Sequence, residues 1–360
     1  MQPNTRVVVA MSGGVDSSVA AALLKQAGMD VIGVMLRLWS EPGKEGTNRC
    51  CTPDAMAQAR RVAAILGIPF YAIDAQIEFH EQVVQYLING YAQGITPNPC
   101  LNCNRQIRWT FLLKHAQSFG ADFLATGHYA RVDRDARGLF ELKKAIDPSK
   151  DQSYILHILD QGRLAQALFP LGGYLKTDVR QLARQFDLPV ADRAESQDLC
   201  FLGDGDYRSF LQRNAPQVNK PGPILDREGG QIGQHDGLAF YTIGQRKGLG
   251  ISAPIPIYVL EKDLNRNALI VGDSTALGKK ALIASQVSWI SGEQPDGAFR
   301  GQVKIRYKAP EAPATITPLP GNQIKIEFDE ILRDITPGQA AVIYNGDVCL
   351  GGGIIQSATG

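Results

Sequence analysis

VVVAMSGGVDSSVAAALLKQAG, residues 7–28, runs from a β-branched apolar segment through two glycines and three serines into an Ala/Leu-rich segment. The pattern predicts a buried strand over 6–11 and a helix from Val15 to Ala27, closed by Gly28. Between them Gly13 and Gly14 carry no Cβ, so the amides of the helix start are open to an anion, and Ser12, Ser17 and Ser18 add hydroxyls. The loop has no lysine of the kind that grips β- and γ-phosphates, which disfavours γ-phosphoryl transfer. Asp16 suits a phosphate site only as a Mg²⁺ ligand, because carboxylate and phosphate otherwise repel. The plain alternative is a Gly/Ser turn between strand and helix.

Further apolar runs follow at 30–36, 69–74 and 121–128, alternating with helical patterns at 52–67, 77–93 and about 105–119. This alternation predicts an α/β domain with a parallel sheet, whose ligands lie beyond the carboxyl ends of the strands. SGGVDSS and TGH both fall there. From about 205 the chain turns Gly/Pro-rich, and from about 280 it reads as short strands of a small β-barrel: QVSWI, RGQVKIRY, ATITPL, QIKIEF, QAAVIYNG and CLGGGII. The expected units are 1–205, 206–278 (a small linking domain) and 279–360.

A net charge of +1 over 360 residues announces neither nucleic acid nor membrane, so a polyanion would have to meet local basic runs. No run is long enough to span a bilayer, and the apolar start is too short for a signal peptide, giving the expectation of a soluble cytoplasmic protein. Six cysteines in such a chain are reactive, metal-binding or buried rather than structural disulfides. Cys349, inside VCLGGGII, reads as buried; Cys50 and Cys51 stand together on a polar loop and receive no step.

SGGVDSS resembles the PP-loop of ATP pyrophosphatases. With CCTPDAMAQARRVA, TPNPCLNCNRQIRW, ATGHYARV, SKDQSYIL, SQDLCF, IGQRKGLGI, KIRYKAP, TPGQAAVIYNG and CLGGGII, nearly the whole chain resembles the bacterial tRNA-specific 2-thiouridylases (MnmA type), in the family's order. The resemblance implies ATP-dependent 2-thiolation of the wobble uridine of tRNAs for Lys, Glu and Gln. ATP would activate the C2 oxygen as an adenylate, and a cysteine desulfurase or sulfur-relay protein would supply persulfide sulfur. Ala10, Met11, Ser12, Gly13, Gly14, Val15, Asp16 and Ser17 would surround the phosphates, with Leu36 and Gly127 at adenine and ribose. The missing lysine then has a reason, since pyrophosphate is discarded.

By the same resemblance Cys200 carries the persulfide, and Cys103 attacks it or closes a transient disulfide with it. Read from its residues, Cys103 precedes a helix beginning near Arg105, where the helix end, Arg105 and Arg108 would favour its thiolate. Cys100 stands where the best-known family form has an aspartate, so carboxylate catalysis from that position is absent. Cys100, Cys103 and Cys200 could instead hold an iron–sulfur cluster, a route ranked below the persulfide. The family match assigns Asn98, Pro99 and Cys100 to the target base, and His128, Lys150, Asp151, Gln152, Arg306, Tyr307 and Gln339 to tRNA. Two bland readings stand beside these: Asp151 as a helix cap and His128 as a structural histidine. A PP-loop ligase acting on a small metabolite, or a non-catalytic RNA-binding protein, would leave Cys103 and Cys200 without a role.

Overall fold

The computed structural model describes residues 5–44, 52–194, 199–202 and 206–360. Cys50, Cys51 and residues 196–198 of the SQDLCF motif lie outside them. The first sheet contains β1 (Arg6–Ala10), β2 (Asp30–Arg37), β3 (Phe70–Asp74) and β4 (Phe123–Thr126). A hairpin of β5 (Ala130–Arg134) and β6 (Phe140–Lys144) follows, and the short β7 (Ala167–Leu168) completes the sheet in the order β3-β2-β1-β4-β7. All four pairings are parallel. Val7, Val8 and Val9 are fully buried because helices cover both faces. Val7 and Val9 join a cluster with Val19, Ala59 and Val179, whereas Val8 faces Trp109, Leu112 and Leu124. The order reverses at β1, so its loop and the end of β4 flank the switch point where such sheets bind ligands.

Local rules place several helices as expected. Thr52 caps Pro53–Leu66, its hydroxyl accepting the Ala55 amide at 3.0 Å, and Gly67 ends that helix at φ +61°. Residues 76–92 form one helix with a widened stretch at His80–Val84. The next helix departs from expectation. It starts at Pro99, where Asn98 accepts the Cys100 amide at 3.1 Å, and it continues through a wide-turned stretch, Cys103–Leu112, to Ser118. Asn98-Pro99 is itself a helix-start signal inside what reads as a proline-rich turn. Cys103 therefore lies a full turn inside the helix, where the end-dipole argument for its thiolate fades.

In the central region the helix Tyr207–Asn214 is capped by Asp206. A sheet of β8 (Gly222–Leu225), β9 (Gln231–His235), β10 (Tyr258–Asp263) and β11 (Ala268–Gly272) follows, in the order β10-β11-β8-β9. Glu41, after β2, binds Arg213 through two contacts of 2.6 and 2.9 Å, tying this region to the first.

The final strands are β12 (Lys279–Trp289), β13 (Phe299–Lys304), β14 (Ala312–Leu319), β15 (Gln323–Leu332), β16 (Ala340–Asn345) and β17 (Val348–Thr359). They run β12-β15-β14-β13-β16-β17, and a β12–β17 pairing closes the barrel. One feature of the sequence was unreadable as sheet: β6 pairs with β17, so the polar hairpin 130–144 extends the barrel sheet. The core follows the sheet, and Leu124, Leu142, Tyr154, Val342 and Cys349 pack in one cluster across the junction.

Candidate active site at the sheet edge and the barrel seam

The loop after β1 is fixed by close backbone contacts. Gly13 has φ +71°, and a Cβ there would stand 2.3 Å from the Ala55 carbonyl oxygen. A Cβ on Gly127 would come within 2.7 Å of the Ser17 amide nitrogen, so the end of β4 lies directly on the first turn of Val15–Gln26. Gly14 is that helix's N-cap and offers no side-chain acceptor to its amides. The Ser12 amide donates to Ser17 Oγ at 3.1 Å, and Ser18 donates to the Gly14 carbonyl at 2.8 Å. The result is a rigid turn with backbone donors at a helix start, suited to an anion.

Two cations from elsewhere in the chain reach this loop. Lys176 Nζ lies 2.6 and 2.8 Å from the two oxygens of Asp16, and the Tyr129 hydroxyl donates to one of them at 2.7 Å. Arg193 reaches the Gly13 carbonyl at 3.3 Å and the Asp54 carboxylate at 2.9 Å. Lys176, Tyr129 and Arg193 were missed from sequence. Lys176 had a readable signal: it opens the helix Lys176–Gln185, where a cation opposes the helix dipole and needs another partner.

The thiols lie in apolar surroundings. Cys103 is buried and Cys200 half-buried, both against one cluster that includes Phe79, Val83, Ile107, Phe201 and Phe210. Leu36, at the end of β2, packs on that cluster and also on the core beneath the sheet. Cys100 is exposed one turn earlier on the Cys103 helix. Cys349 is fully enclosed, and burial pushes its thiol up to about 12, so it is unreactive.

The barrel meets the chain just before Asn98. The Thr96 amide donates to the Pro337 carbonyl at 2.9 Å, and Gln339 Nε2 donates to the Thr96 carbonyl at 2.8 Å. At this seam burial, and then the charge of the neighbouring Asp151, raises the Tyr307 phenol above its usual range, with Cys100 acting in the same direction. Cys100, Asp151, Tyr307 and Gln339 thus come from four segments of the chain. Arg306 is exposed, 3.4 Å from the Asp334 carboxylate, and Lys150 is half-buried. Other residues of the set turn inward. Asp151 is buried and accepts from the Ala145 and Ser153 amides at 3.0 and 3.2 Å, one residue ahead of Gln152, the N-cap of the short helix Ser153–Leu156. Gln152 exchanges two 2.9 Å hydrogen bonds with the Tyr129 backbone. His128 is 7% exposed and bonds Thr126 Oγ1 at 2.8 Å; burial, then Arg108, holds it neutral well below its usual range.

Residues 5–204 match the family described as tRNA methyl transferase HUP domain, 208–273 its PRC-barrel domain, and 279–355 the aminomethyltransferase beta-barrel domain. A tRNA-specific 2-thiouridylase MnmA of Moorella thermoacetica is 50% identical over 97% of this chain and 99% of its own length. One from Chloroflexus aggregans is 48% identical over 97% and 98%. The chain belongs to the tRNA-specific 2-thiouridylase family. Among solved structures, a 4-thiouridine synthetase in complex with RNA and bound ATP is 17% identical with a TM-score of 0.35, covering 59% of this chain and 51% of that one.

As a thiouridylase the chain is a tRNA sulfurtransferase, and its residues can be tested against the groups that such chemistry could use. Both oxygens of Asp16 are engaged by Lys176, and among the described residues no three His, Cys, Asp or Glu side chains come together in a metal-holding group. No step is derived through Mg²⁺ at Asp16 or through a cluster on Cys100, Cys103 and Cys200. Among the described residues no helix is long and apolar enough to cross a membrane.

Proposed function

We propose that this thiouridylase acts on the wobble uridine (U34) of tRNAs for Lys, Glu and Gln, using ATP. The uridine C2 oxygen attacks the α-phosphorus, the α–β bridging bond breaks, and pyrophosphate leaves. The loop from Ala10 to Ser17 holds the phosphates, Leu36 and Gly127 border the adenosine, and Lys176 and Arg193 supply the positive charge that the loop lacks. The terminal sulfur of a Cys200 persulfide then attacks C2, and AMP departs. Cys103 attacks Cys200 Sγ, the sulfur–sulfur bond breaks, and 2-thiouridine is released with a Cys103–Cys200 disulfide. A thiol reductant reopens the disulfide, and a cysteine desulfurase or sulfur-relay protein reloads Cys200.

The observation that carries this reading is that Cys103, Cys200 and Leu36 pack on one apolar cluster, Leu36 coming from the end of β2 in the sheet that also holds the anion loop. An apolar setting keeps water from an adenylate and from a persulfide. The RNA would lie along the barrel seam, with Asn98, Pro99 and Cys100 near the target base and Lys150, Arg306, Tyr307 and Gln339 along the backbone. The test is nucleoside analysis of tRNA incubated with the protein, ATP and a persulfide-loading system. 2-Thiouridine that appears only with ATP, in those three tRNAs, is the expected result. Thiolation without ATP, or at a uridine elsewhere in the tRNA, would refute the reading.

A further inference from the structure

The helix 99–118 carries a cation that the reaction above does not use. Arg105 is half-buried, two residues after Cys103. Among the described residues its guanidinium has no hydrogen bond or ion pair; the hydrogen bond at this residue is the Thr110 hydroxyl on its carbonyl, at 2.7 Å. Its electrostatic neighbours are the Tyr86 phenol and the Arg163 guanidinium. His157, which also feels Arg105, is enclosed and held near 4, so it is neutral. Among the described residues no carboxylate acts on the group. By contrast Arg163 is committed, to Asp160 at 2.6 Å and to the Trp109 carbonyl at 3.0 Å.

A guanidinium partly withdrawn from water beside a second cation is costly unless an anion arrives. Its surroundings choose the anion. Tyr86 offers a hydroxyl donor, and the Asn102 amide donating to the Gln82 carbonyl fixes the seam between the two helices one turn away. His157 packs against the barrel strand β17, where a Cβ on Gly352 would come within 3.1 Å of its ring. Through His157 the surroundings of Arg105 reach the barrel. A planar fork matches a phosphodiester in two-point fashion.

We propose that Arg105 binds a backbone phosphate of the tRNA beside the nucleotide being modified. The proposal rests on the tRNA reading of the barrel seam, and Tyr86 completes the phosphate's contacts.

The test measures tRNA affinity across a salt series for wild type, Arg105→Gln and Arg105→Lys, with ATP affinity and melting temperature recorded for each. Arg105→Gln should weaken tRNA binding several-fold and lower the slope of log K against log salt by about one. Arg105→Lys should keep the slope. ATP affinity should not move. The melting temperature of Arg105→Gln should hold or rise, since an unmatched charge is removed, whereas loss of a structural contact would lower it. An unchanged slope in Arg105→Gln, with a normal wild-type slope, would overturn this proposal and leave the tRNA reading intact. A flat wild-type slope would remove both. A loss confined to ATP or pyrophosphate binding would assign the niche to the nucleotide and overturn the proposal too.

Discussion

The loop after β1 and the helix that carries Cys103 are built by opposite means. The loop is polar and over-determined: Gly13 against Ala55, Gly127 against Ser17, serines bonded to one another, and Asp16 gripped by Lys176 and Tyr129. Its donors are fixed before any anion arrives, as electrostatic stabilisation requires. The cysteine region is apolar and its backbone departs from regular geometry, with wide turns running from Cys103 to Leu112. Such turns gather at functional sites. A phosphate needs preset donors, whereas a thiol exchanging sulfur needs dryness and room to approach a second sulfur.

The largest effect that would sharpen this contrast belongs to the Asp16–Lys176 pair. Asp16→Asn or Lys176→Met should cut tRNA-dependent pyrophosphate release on the order of a hundredfold. Each should also cost about 2 kcal/mol in urea unfolding, less than for a fully enclosed pair because solvent reaches the carboxylate. The double variant should regain stability but not activity. Recovery of both would make the pair a structural contact only.

Next in size are the proposed RNA contacts, where outer and enclosed members of one set should part company. Lys150→Ala and Arg306→Ala should each weaken tRNA binding several-fold and lower its salt slope by about one. Asp151→Asn should lower the melting temperature with the slope unchanged, since its buried carboxylate accepts the Ala145 and Ser153 amides. Equal slopes in all three variants would erase the distinction.

A smaller effect concerns the tie between the first and central regions. Arg213, by hydrogen bond and charge, holds the Glu41 carboxyl below its usual value. The stabilisation is therefore complete above the unfolded value near 4.5 and is lost as pH falls through the lower folded value. Glu41→Gln should cost ~1.5 kcal/mol at pH 7, shrinking toward zero in acid. A cost independent of pH would contradict the ion pair. The smallest effect is expected at Cys100. Cys100→Ser should retain activity within about threefold, because the exchange needs two thiols and not three. A near-complete loss would bring Cys100 into the chemistry.

Much of this was legible from residue patterns. The β-branched run at 7–9, the Thr52-Pro53 cap and the Gly28 and Gly67 stops act through local physics, and they landed where expected. The barrel strands show as alternation bounded by turns. What escaped depended on distant partners. The hairpin 130–144 is polar and becomes sheet only because β17 lends it an edge. Lys176 and Arg193 meet the loop from more than 150 residues away in sequence. The start of the Cys103 helix was misread because Asn98-Pro99 serves equally well as a turn and as a cap. His128 and Asp151 were ambiguous for a related reason: burial is decided by packing that neighbouring residues do not reveal.

The proposed mechanism divides the labour, with activation at the loop and sulfur delivery at Cys200. Rapid-quench analysis of Cys200→Ser with ATP, cognate tRNA and a persulfide-loading system tests it most directly, because pyrophosphate and 2-thiouridine are counted in the same samples. Wild type should form the two in equal amounts. Cys200→Ser should release pyrophosphate with tRNA present and form no 2-thiouridine. Formation of 2-thiouridine by Cys200→Ser at a near-wild-type rate would contradict the account.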